Sequence, residues 1–373
     1  MKSKFHEKLT VCLFCGFLAV MAVLYWVLPQ SDFSEMEKRE LAQFPEFSWE
    51  TLTSGQFGSE IETYMADHMP GRDFFVGLGA YYDLFCGRQV SKDIYLAKNH
   101  RLVEAPVVWN NAQIEKNMKY INKLADSLDI PVDLMIVPSA GYIYRDTILG
   151  LHDEYLDEQI ISMIYCYAEE SSNLSIVHLS QLFVEADDPQ SLYYSTDHHW
   201  TSLGAYKAYA AYMAAVGRDA AAQEDFTVET VNGFRGSTYS RSALWLTPGE
   251  PIQLWHGSEL TVTIGDQTYD SVFFRDRLQE ADMYTVFLDG NQPLVRIRNE
   301  ANTGKGKLLV IRDSYANCIG PMLAESYEEV VMVDLRYYRL PVSALCQTEG
   351  FDNVLILYSL SNFMTDSNFP FLR

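Results

Sequence analysis

The amino-acid sequence predicts an α/β domain with a mostly parallel sheet, preceded by one transmembrane helix. Three observations support this prediction. Helical segments alternate with short apolar runs along most of the chain, residues 225 to about 300 are rich in hairpin signals, and a long uncharged stretch lies near the N-terminus. Helices between short apolar strands indicate a parallel sheet covered on both faces. We therefore expect a three-layer α/β/α domain over residues 91–373 that includes a β-hairpin-rich insertion.

The first 28 residues have the composition of a signal anchor. Residues 1–8 are basic, and residues 9–28 carry no charged side chain. About 20 apolar residues span a bilayer core as a helix, and basic residues on the short side favour the cytoplasm for that end. A cleaved signal peptide is the alternative, but no clear small-x-small cleavage site follows. We expect a single-pass cell-membrane protein whose remaining chain is extracytoplasmic.

Composition excludes some classes of partner. The formal charge is −22 and the isoelectric point is about 4.7, whereas nucleic-acid binding requires clustered lysine and arginine. An acidic surface is also repelled by anionic lipid, so membrane attachment has to come from the N-terminal helix. Residues 29–90 are first polar and then helical in pattern, which predicts a stalk and an N-terminal helical region.

The predicted elements of the α/β domain follow from apolar periodicity and from turn residues. The expected strands are the short apolar runs Val132–Val137, Ser175–Leu179, Lys307–Arg312, Val330–Val333 and Val354–Tyr358. The expected helices are Asn111–Leu128, Tyr155–Glu170, Ser202–Val216, Tyr315–Tyr327 and Pro341–Gln347. For the third helix we expect a buried face made of Leu203, Tyr206, Ala210 and Met213.

The segment Asp197-His198-His199 is the strongest chemical signal in the chain. An aspartate can orient a nearby histidine, and that histidine can act as general base for a serine nucleophile. If the segment is extended, Asp197 and His199 face the same way and His198 faces the other. A metal site and a helix cap with two idle histidines are the alternatives.

Ser314 occupies the position that a nucleophile would need. It follows the predicted strand Lys307–Arg312 and precedes a predicted helix, and ligands of open parallel sheets bind at the carboxyl ends of strands. A backbone N–H near a helix N-terminus also stabilises an oxyanion. The sequence lacks the G-x-S-x-G pattern of a nucleophile elbow. The alternative is that Asp313 or Ser314 only caps the helix.

Several segments together resemble the DHHW proteins of Gram-positive bacteria, which are related to SGNH-hydrolase-like domains of alginate O-acetyltransferase components. The resemblance covers nearly the whole extracytoplasmic chain. It rests on Asp-His-His-Trp at 197–200, Arg-Asp-Ser-Tyr-Ala-Asn at 312–317 and the segments 38–45, 67–73 and 333–338. It implies an SGNH-hydrolase-like fold in which Asp197 orients His199, His199 is the base and Ser314 is the nucleophile.

The same resemblance implies an activity and its partners. The expected chemistry is acetyl transfer to a cell-surface polysaccharide through an acetyl-serine, or acetyl removal by an esterase. Because acetyl-CoA is absent outside the cell, an integral-membrane acyltransferase partner would have to supply the acetyl groups. No cofactor and no metal ion are expected.

The chain departs from the SGNH pattern around the oxyanion site. Arg312 stands at the usual glycine position, and no Gly-x-Asn-Asp block is present. Asn317 and Asn362 are oxyanion candidates by residue type, and Arg312 and Arg336 are possible substrate contacts. For Arg336, a salt bridge to Asp334 or Asp313 is the alternative.

These departures keep other functions open. A catalytically inactive carbohydrate-binding or scaffold subunit is the main alternative, and a metal-dependent hydrolase is another. Whichever function applies, we expect His198 and Trp200 to be structural residues, with Trp200 in the core.

Overall fold

The computed structural model describes residues 2–88, 90–91 and 93–373, which form two compact units. The smaller unit consists of residues up to 88 together with 243–245, and the larger unit contains the other described residues. Every chemically important segment from 197 to 362 therefore lies in the larger unit.

The smaller unit combines the apolar N-terminal helix with three further helices and one short strand pair. Its elements are α1 Lys2–Val27, β1 Phe33–Ser34, β2 Arg39–Glu40, α2 Trp49–Thr53, α3 Gln56–Asp67 and α4 Arg72–Phe85. Within α1, Phe5–Val27 is long and apolar enough to cross a membrane, with a mean hydropathy of 2.3.

A carboxylate fixes the two N-terminal motifs of this unit to each other. The Arg39 guanidinium donates two hydrogen bonds to Asp67, at 2.9 and 2.6 Å, and the Ala42 amide donates a third, also at 2.9 Å. Bidentate pairing of this kind is geometrically specific. The segments 38–45 and 67–73 are therefore parts of one polar cluster, although 28 residues separate Arg39 from Asp67 in sequence.

The larger unit is built on an eight-stranded sheet. Its strands and those of two small sheets are β3 Val90–Ser91, β4 Ile94–Leu96, β5 Leu102–Glu104, β6 Val132–Val137, β7 Leu174–Val177, β8 Thr227–Phe234, β9 Glu250–His256, β10 Thr261–Ile264, β11 Gln267–Tyr269, β12 Leu294–Arg298, β13 Lys307–Arg312, β14 Glu329–Val333 and β15 Asn353–Ser359. The main sheet has the order β11-β10-β12-β14-β13-β15-β6-β7. Strands β14 to β7 in that order are parallel, and β10, β11 and β12 extend the sheet with antiparallel pairs.

Helices cover both faces of this sheet. They are α5 Asn111–Asp126, α6 Ala140–Tyr144, α7 Asp157–Ala168, α8 Ser180–Val184, α9 Ser202–Ala215, α10 Ser237–Ser242, α11 Ala316–Leu323, α12 Val342–Glu349 and α13 Leu360–Thr365. One core cluster joins α9 and α11 to the sheet, and the other joins α5, α7, α12 and α13 to the opposite face. The predicted α/β/α arrangement with a mostly parallel sheet is therefore confirmed.

One detail of the sequence prediction is wrong. Of the four residues predicted for the buried face of α9, Met213 is buried, whereas Leu203, Tyr206 and Ala210 are only partly buried. The other large or apolar residues that the helix buries are Ala205, Ala208, Tyr209 and Tyr212. Apolar residues occur on almost every side of this helix, so periodicity alone did not identify the face that meets the sheet.

The insertion divides between two sheets. Strands β8 and β9 form a separate antiparallel pair, and β10 to β12 join the main sheet at one edge. Both parts of the insertion contribute residues to the segment around Asp197: Ser237 follows β8, and Tyr284 lies between β11 and β12. The insertion is thus a structural part of the candidate site.

Candidate active site

A chain of short hydrogen bonds connects Asp197, His199 and Ser314. His199 Nδ1 lies 2.6 Å from Asp197 Oδ1, and His199 Nε2 lies 2.8 Å from Ser314 Oγ. All three residues are buried, and 8% of the Ser314 surface remains exposed to solvent. The structure thus brings together the three residues that the sequence nominates, across a separation of 115 positions between His199 and Ser314.

The Asp197 segment is bent rather than extended. Tyr193 and Trp200 form an isolated antiparallel bridge, and the Tyr194 amide donates to the His199 carbonyl at 3.2 Å. Asp197 Oδ1 also accepts the backbone N–H of His199 at 2.8 Å, a local bond that aspartate often makes in turns. The expectation that His198 faces away from His199 is wrong for this reason, because the two rings lie 3.8 Å apart.

Helix α10 and the residue before it support the second oxygen of Asp197. The Ser237 amide donates to Asp197 Oδ2 at 2.6 Å. Gly236 passes so close that an added Cβ would lie 2.1 Å from the Asp197 Cβ. A glycine is therefore required at position 236 to leave the carboxylate in place.

Two charged residues, the partly buried Glu250 and the buried Arg101, hold the rest of the bend. Glu250 accepts hydrogen bonds from the Ser195 amide at 2.8 Å and from the Thr196 amide and hydroxyl at 2.6 Å each. Arg101 donates to the carbonyls of Tyr193 and Tyr194 at 3.0 and 2.9 Å. Backbone groups of the bend are thereby satisfied without regular secondary structure.

Asp313 organises the turn that carries Ser314. Its Oδ1 accepts the Tyr315 amide at 3.0 Å, and its Oδ2 accepts the Ser359 amide at 2.8 Å and the Asn362 side-chain amide at 2.8 Å. Ser359 ends β15, the strand that pairs with β13. The turn is therefore fixed at the carboxyl ends of two adjacent parallel strands, where ligands of such sheets bind.

The electrostatics favour a neutral imidazole beside an ionised carboxylate. Burial alone would raise the pKa of Asp197, but His199, His198 and the Ser237 amide bring that pKa well below its usual range. Burial and the neighbouring His198 lower the pKa of His199 below the ordinary value for histidine, although Asp197 opposes this shift. A histidine with these properties is unprotonated near neutral pH and able to accept a proton.

Two aromatic rings enclose His199. Tyr284, from the insertion, lies face to face with it, with ring centroids 3.8 Å apart and planes 6° from parallel. On another side Tyr315 lies 5.0 Å away. Stacking of this kind restricts the orientation of the imidazole.

A cavity of about 250 Å³ lies beside these residues. His198 and Tyr315 line it, as do Asn362, Arg241 and Glu104. The His198 side chain is 27% exposed, and its Nδ1 is hydrogen-bonded to the Ser237 hydroxyl. His198 thus has a packed side and a side open to the cavity.

The predicted accessory residues occupy varied positions. Arg312 is fully buried, 3.4 Å from Asp334, so substrate contact by its side chain would require that packing to open. Arg336 makes the alternative salt bridge, at 2.7 Å from Asp334.

Asn317 donates to the Asn291 side chain at 3.2 Å. Trp200 is fully buried, and its indole N–H donates to the Tyr315 carbonyl at 3.1 Å.

The Asp197–His198–His199 cluster contains the residue types of a metal site. One ligand atom from each of the three residues lies within 4.8 Å of the other two, and within the described ranges no fourth His, Cys, Asp or Glu belongs to this cluster. Both ring nitrogens of His199 already participate in hydrogen bonds, with Asp197 and Ser314. A metal ion would therefore have to displace one of these bonds, so the geometry favours proton transfer.

Sequence reasoning missed three residues that shape the site. Tyr284, Gly236 and Glu250 all come from the segment that was predicted only as a β-rich insertion. Asn232-Gly233 and Pro248-Gly249 mark turns near two of them, but no local pattern indicates which residues meet Asp197 or His199.

Comparisons with known proteins place this arrangement in a wider group. The DHHW protein family matches residues 105–333. No curated protein sequence resembles the chain closely enough to count as a relative.

Among solved structures, a DHHW family protein from Eubacterium siraeum matches with a TM-score of 0.65 and 22% identity, over 76% of this chain and 95% of that one. Bacillus cereus PatB1 with a sulfonyl adduct matches with a TM-score of 0.64 and 21% identity, over 75% of this chain and 98% of that one. The O-acetyltransferase domain of Pseudomonas putida AlgJ matches with a TM-score of 0.48 and 14% identity, over 73% of this chain and 92% of that one.

The first two of these structures, each matching with a TM-score above 0.6, agree with the predicted α/β fold and with the sheet described above. The matched segment contains the Asp-His-His-Trp motif and the Ser314 turn, and it covers more than half of the chain. The protein therefore belongs to the DHHW family.

Proposed function

We propose that this protein is a membrane-anchored, extracytoplasmic enzyme that transfers acetyl groups to a cell-surface polysaccharide. The single observation that carries the proposal is the 2.8 Å approach of Ser314 Oγ to His199 Nε2, with His199 Nδ1 bonded to Asp197. Nucleophile, base and orienting acid in this order support acyl transfer through a covalent intermediate. The acetyl group and the polysaccharide follow from the family resemblance of the motifs.

The first half-reaction acetylates the enzyme. Ser314 Oγ attacks the carbonyl carbon of an acetyl donor, and His199 Nε2 accepts the hydroxyl proton. The bond from the acetyl carbon to the leaving group then breaks, and His199 returns the proton to that leaving group. Asp197 keeps Nδ1 of His199 protonated and the ring in orientation throughout.

The second half-reaction transfers the acetyl group. A sugar hydroxyl loses its proton to His199 and attacks the acetyl-serine, after which Ser314 leaves and regains a proton from His199. In an esterase, water takes the place of the sugar. The proposal favours transfer, with an integral-membrane acyltransferase as the source of acetyl groups on the outer side.

The Ser314 amide is a candidate for oxyanion stabilisation. Among the residues that the structure describes, none accepts a hydrogen bond from this amide. It belongs to the turn that leads into α11, where backbone N–H groups carry partial positive charge. A free amide at a nucleophile is the donor that a tetrahedral intermediate needs.

The proposed anchor is α1, whose Phe5–Val27 segment has the required length and hydropathy. We expect the full chain to remain in the membrane fraction after alkaline carbonate washing. A chain that lacks residues 1–28 should appear in the soluble fraction. Release of the full chain by carbonate would contradict anchoring.

The decisive experiment is to trap acetyl-serine on the purified full-length protein. After incubation with an activated acetyl ester, peptide mass spectrometry should find one acetyl group on Ser314. A sulfonyl fluoride, which reacts with activated hydroxyls, should compete with this labelling. Added oligosaccharide should speed the loss of the acetyl group, and acetylated sugar should appear.

Matched variants separate the competing functions. Ser314→Ala should abolish labelling, whereas Ser361→Ala, which removes a hydroxyl lining the same cavity, should leave it unchanged. Equal labelling of the native chain and Ser314→Ala would refute the mechanism. An unreactive Ser314 in a protein that still binds glycan would identify a carbohydrate-binding subunit instead.

A further inference from the structure

The cavity beside His198 is one end of a longer cleft. A second cavity, of about 850 Å³, adjoins it. The two share four lining residues, which are Glu104, Ser139, Arg241 and Ser361. We call the combined space the Glu104 cleft.

The inner end of the Glu104 cleft is lined by neighbours of the proposed reaction centre. His198 and Tyr315 line that end, and Tyr315 directly follows Ser314. The ring of His198 lies 3.8 Å from that of His199. Away from the centre, the cleft continues along Val107 and Val108. The larger cavity has the size typical of ligand sites, about 300–1,000 Å³.

The charges along the Glu104 cleft are predominantly negative. Among the described lining residues, Asp93, Glu104 and Asp153 carry carboxylates and Arg241 carries the guanidinium. That guanidinium is already paired with Glu104. Asp93 and Asp153 therefore contribute negative charge that no cation of the described lining offsets.

This distribution discriminates between kinds of glycan. Ionised carboxylates accept hydrogen bonds from sugar hydroxyls, whereas they repel the carboxylates of a uronic acid polymer. The formal charge of −22 adds a repulsive field for any polyanion that approaches the cleft. An uncharged chain experiences no such repulsion.

We propose that the Glu104 cleft binds the acceptor and selects a glycan without acidic groups. The inference rests on the proposed acetyl transfer, since it assigns the acceptor of the second half-reaction. His198 lies at the position where the reacting sugar would meet acetyl-serine. Asp93 and Asp153 lie farther along the cleft and exclude anionic chains.

The test uses full-length protein that is first acetylated on Ser314 with an activated ester. The rate of acetyl loss is then measured with a neutral oligosaccharide and with a uronic acid oligosaccharide of equal length. At low salt we expect the neutral sugar to react faster by about tenfold or more, since like charges brought together at an interface disfavour binding. The difference should shrink at high salt because exposed charges are screened.

The double variant Asp93→Asn, Asp153→Asn tests the named residues. Asp93 has a φ of 63°, a conformation that asparagine also tolerates, so folding should be preserved. We expect the uronic acid oligosaccharide to react about tenfold faster with this variant. The matched control Asp129→Asn, Glu170→Gln removes two exposed carboxylates that precede β6 and β7, at the amino ends of these parallel strands, and should change nothing.

The outcomes are distinct. Equal rates with both sugars in the native chain, or equal effects of the two double variants, would overturn the assignment of the cleft while leaving acetyl transfer intact. Failure to form acetyl-serine at all would instead refute the proposed function.

Discussion

Tyr284 lies flat against His199, with ring centroids 3.8 Å apart and planes 6° from parallel. The tyrosine belongs to the insertion, whereas the histidine precedes α9. The Tyr284 hydroxyl is buried without a hydrogen-bond partner among the described residues. Burial raises the pKa of Tyr284 well above its usual value. The ring, rather than the hydroxyl, is therefore the part of Tyr284 that supports the site.

We expect Tyr284→Phe and Tyr284→Leu to differ. Tyr284→Phe keeps the stacked ring and removes an unsatisfied hydroxyl, so activity should be retained and stability unchanged or about 1 kcal/mol higher. Tyr284→Leu loses the stacking and should lower acetyl-serine formation about tenfold. Urea unfolding and single-turnover labelling measure the two quantities. Loss of activity in Tyr284→Phe would assign a chemical role to the hydroxyl.

The pH dependence of acetyl-serine formation should report the protonation of His199. The base must be neutral, so the rate is low in acid and rises as His199 loses its proton. Because burial and His198 lower the pKa of His199, the midpoint should lie below about 6.5, the ordinary value for histidine.

Replacing His198 should move that midpoint in a defined direction. His198→Gln removes a neighbour that lowers the pKa of His199, so the midpoint should shift to higher pH. Tyr284→Phe, which keeps the ring and changes no nearby charge near neutral pH, is the control and should leave it in place. A midpoint that does not move with His198→Gln would show that the two rings are not electrostatically coupled.

Gly236→Ala should damage the site without a change in any polar residue. The new Cβ would lie 2.1 Å from the Asp197 Cβ, so the carboxylate or the α10 segment has to shift. Displacements of about 1 Å near a reacting group can cost about 100-fold in rate, and we expect a loss of that size. Gly79→Ala in α4, where an added Cβ meets nothing within 4 Å, is the matched control for the substitution. A fully active Gly236→Ala would mean that Asp197 tolerates displacement.

Arg312→Met should affect stability more than substrate use. Arg312 and Asp334 are both fully buried and 3.4 Å apart. Because Arg336 still pairs with Asp334 at 2.7 Å in the variant, we expect a loss of about 1–3 kcal/mol, from the hydrogen bonds of Arg312 alone. Chemical denaturation should show this loss, while KM of the remaining folded enzyme should stay close to that of the native chain. A large rise in KM with normal stability would instead support substrate contact by Arg312.

Much of the fold was predictable because its central strands are buried on both faces. The runs 132–137 and 307–312 were predicted with the bounds that the structure shows, since Pro138 and Asp313 follow two short, mostly apolar segments. The pairing of Asp197 with His199 was also predictable, because both belong to one short motif. The approach of His199 to Ser314 depended on the sheet, which brings the carboxyl ends of neighbouring strands together.

The remaining parts of the site depend on long-range packing. The bend at Asp197 arises from bonds to Glu250 and Arg101. Glu250 lies 55 positions from its partner Ser195, and Arg101 lies 93 positions from its partner Tyr194. Tyr284 reaches His199 through a segment whose own residues give no periodic signal. Three of the four residues predicted for the buried face of α9 are only partly buried, because nearly all of its faces are apolar. In each case tertiary contacts, rather than local preference, determine the result.

The support of Asp313 by Ser359 has a consequence for biosynthesis. Ser359 ends β15, which follows all other strands in the chain yet lies between β13 and β6 in the middle of the sheet. Domains generally fold as units once their segments are available. A growing chain therefore contains Ser314 before it contains the strand that fixes its turn. The bond from Ser359 to Asp313 can form only after β15 has been synthesised.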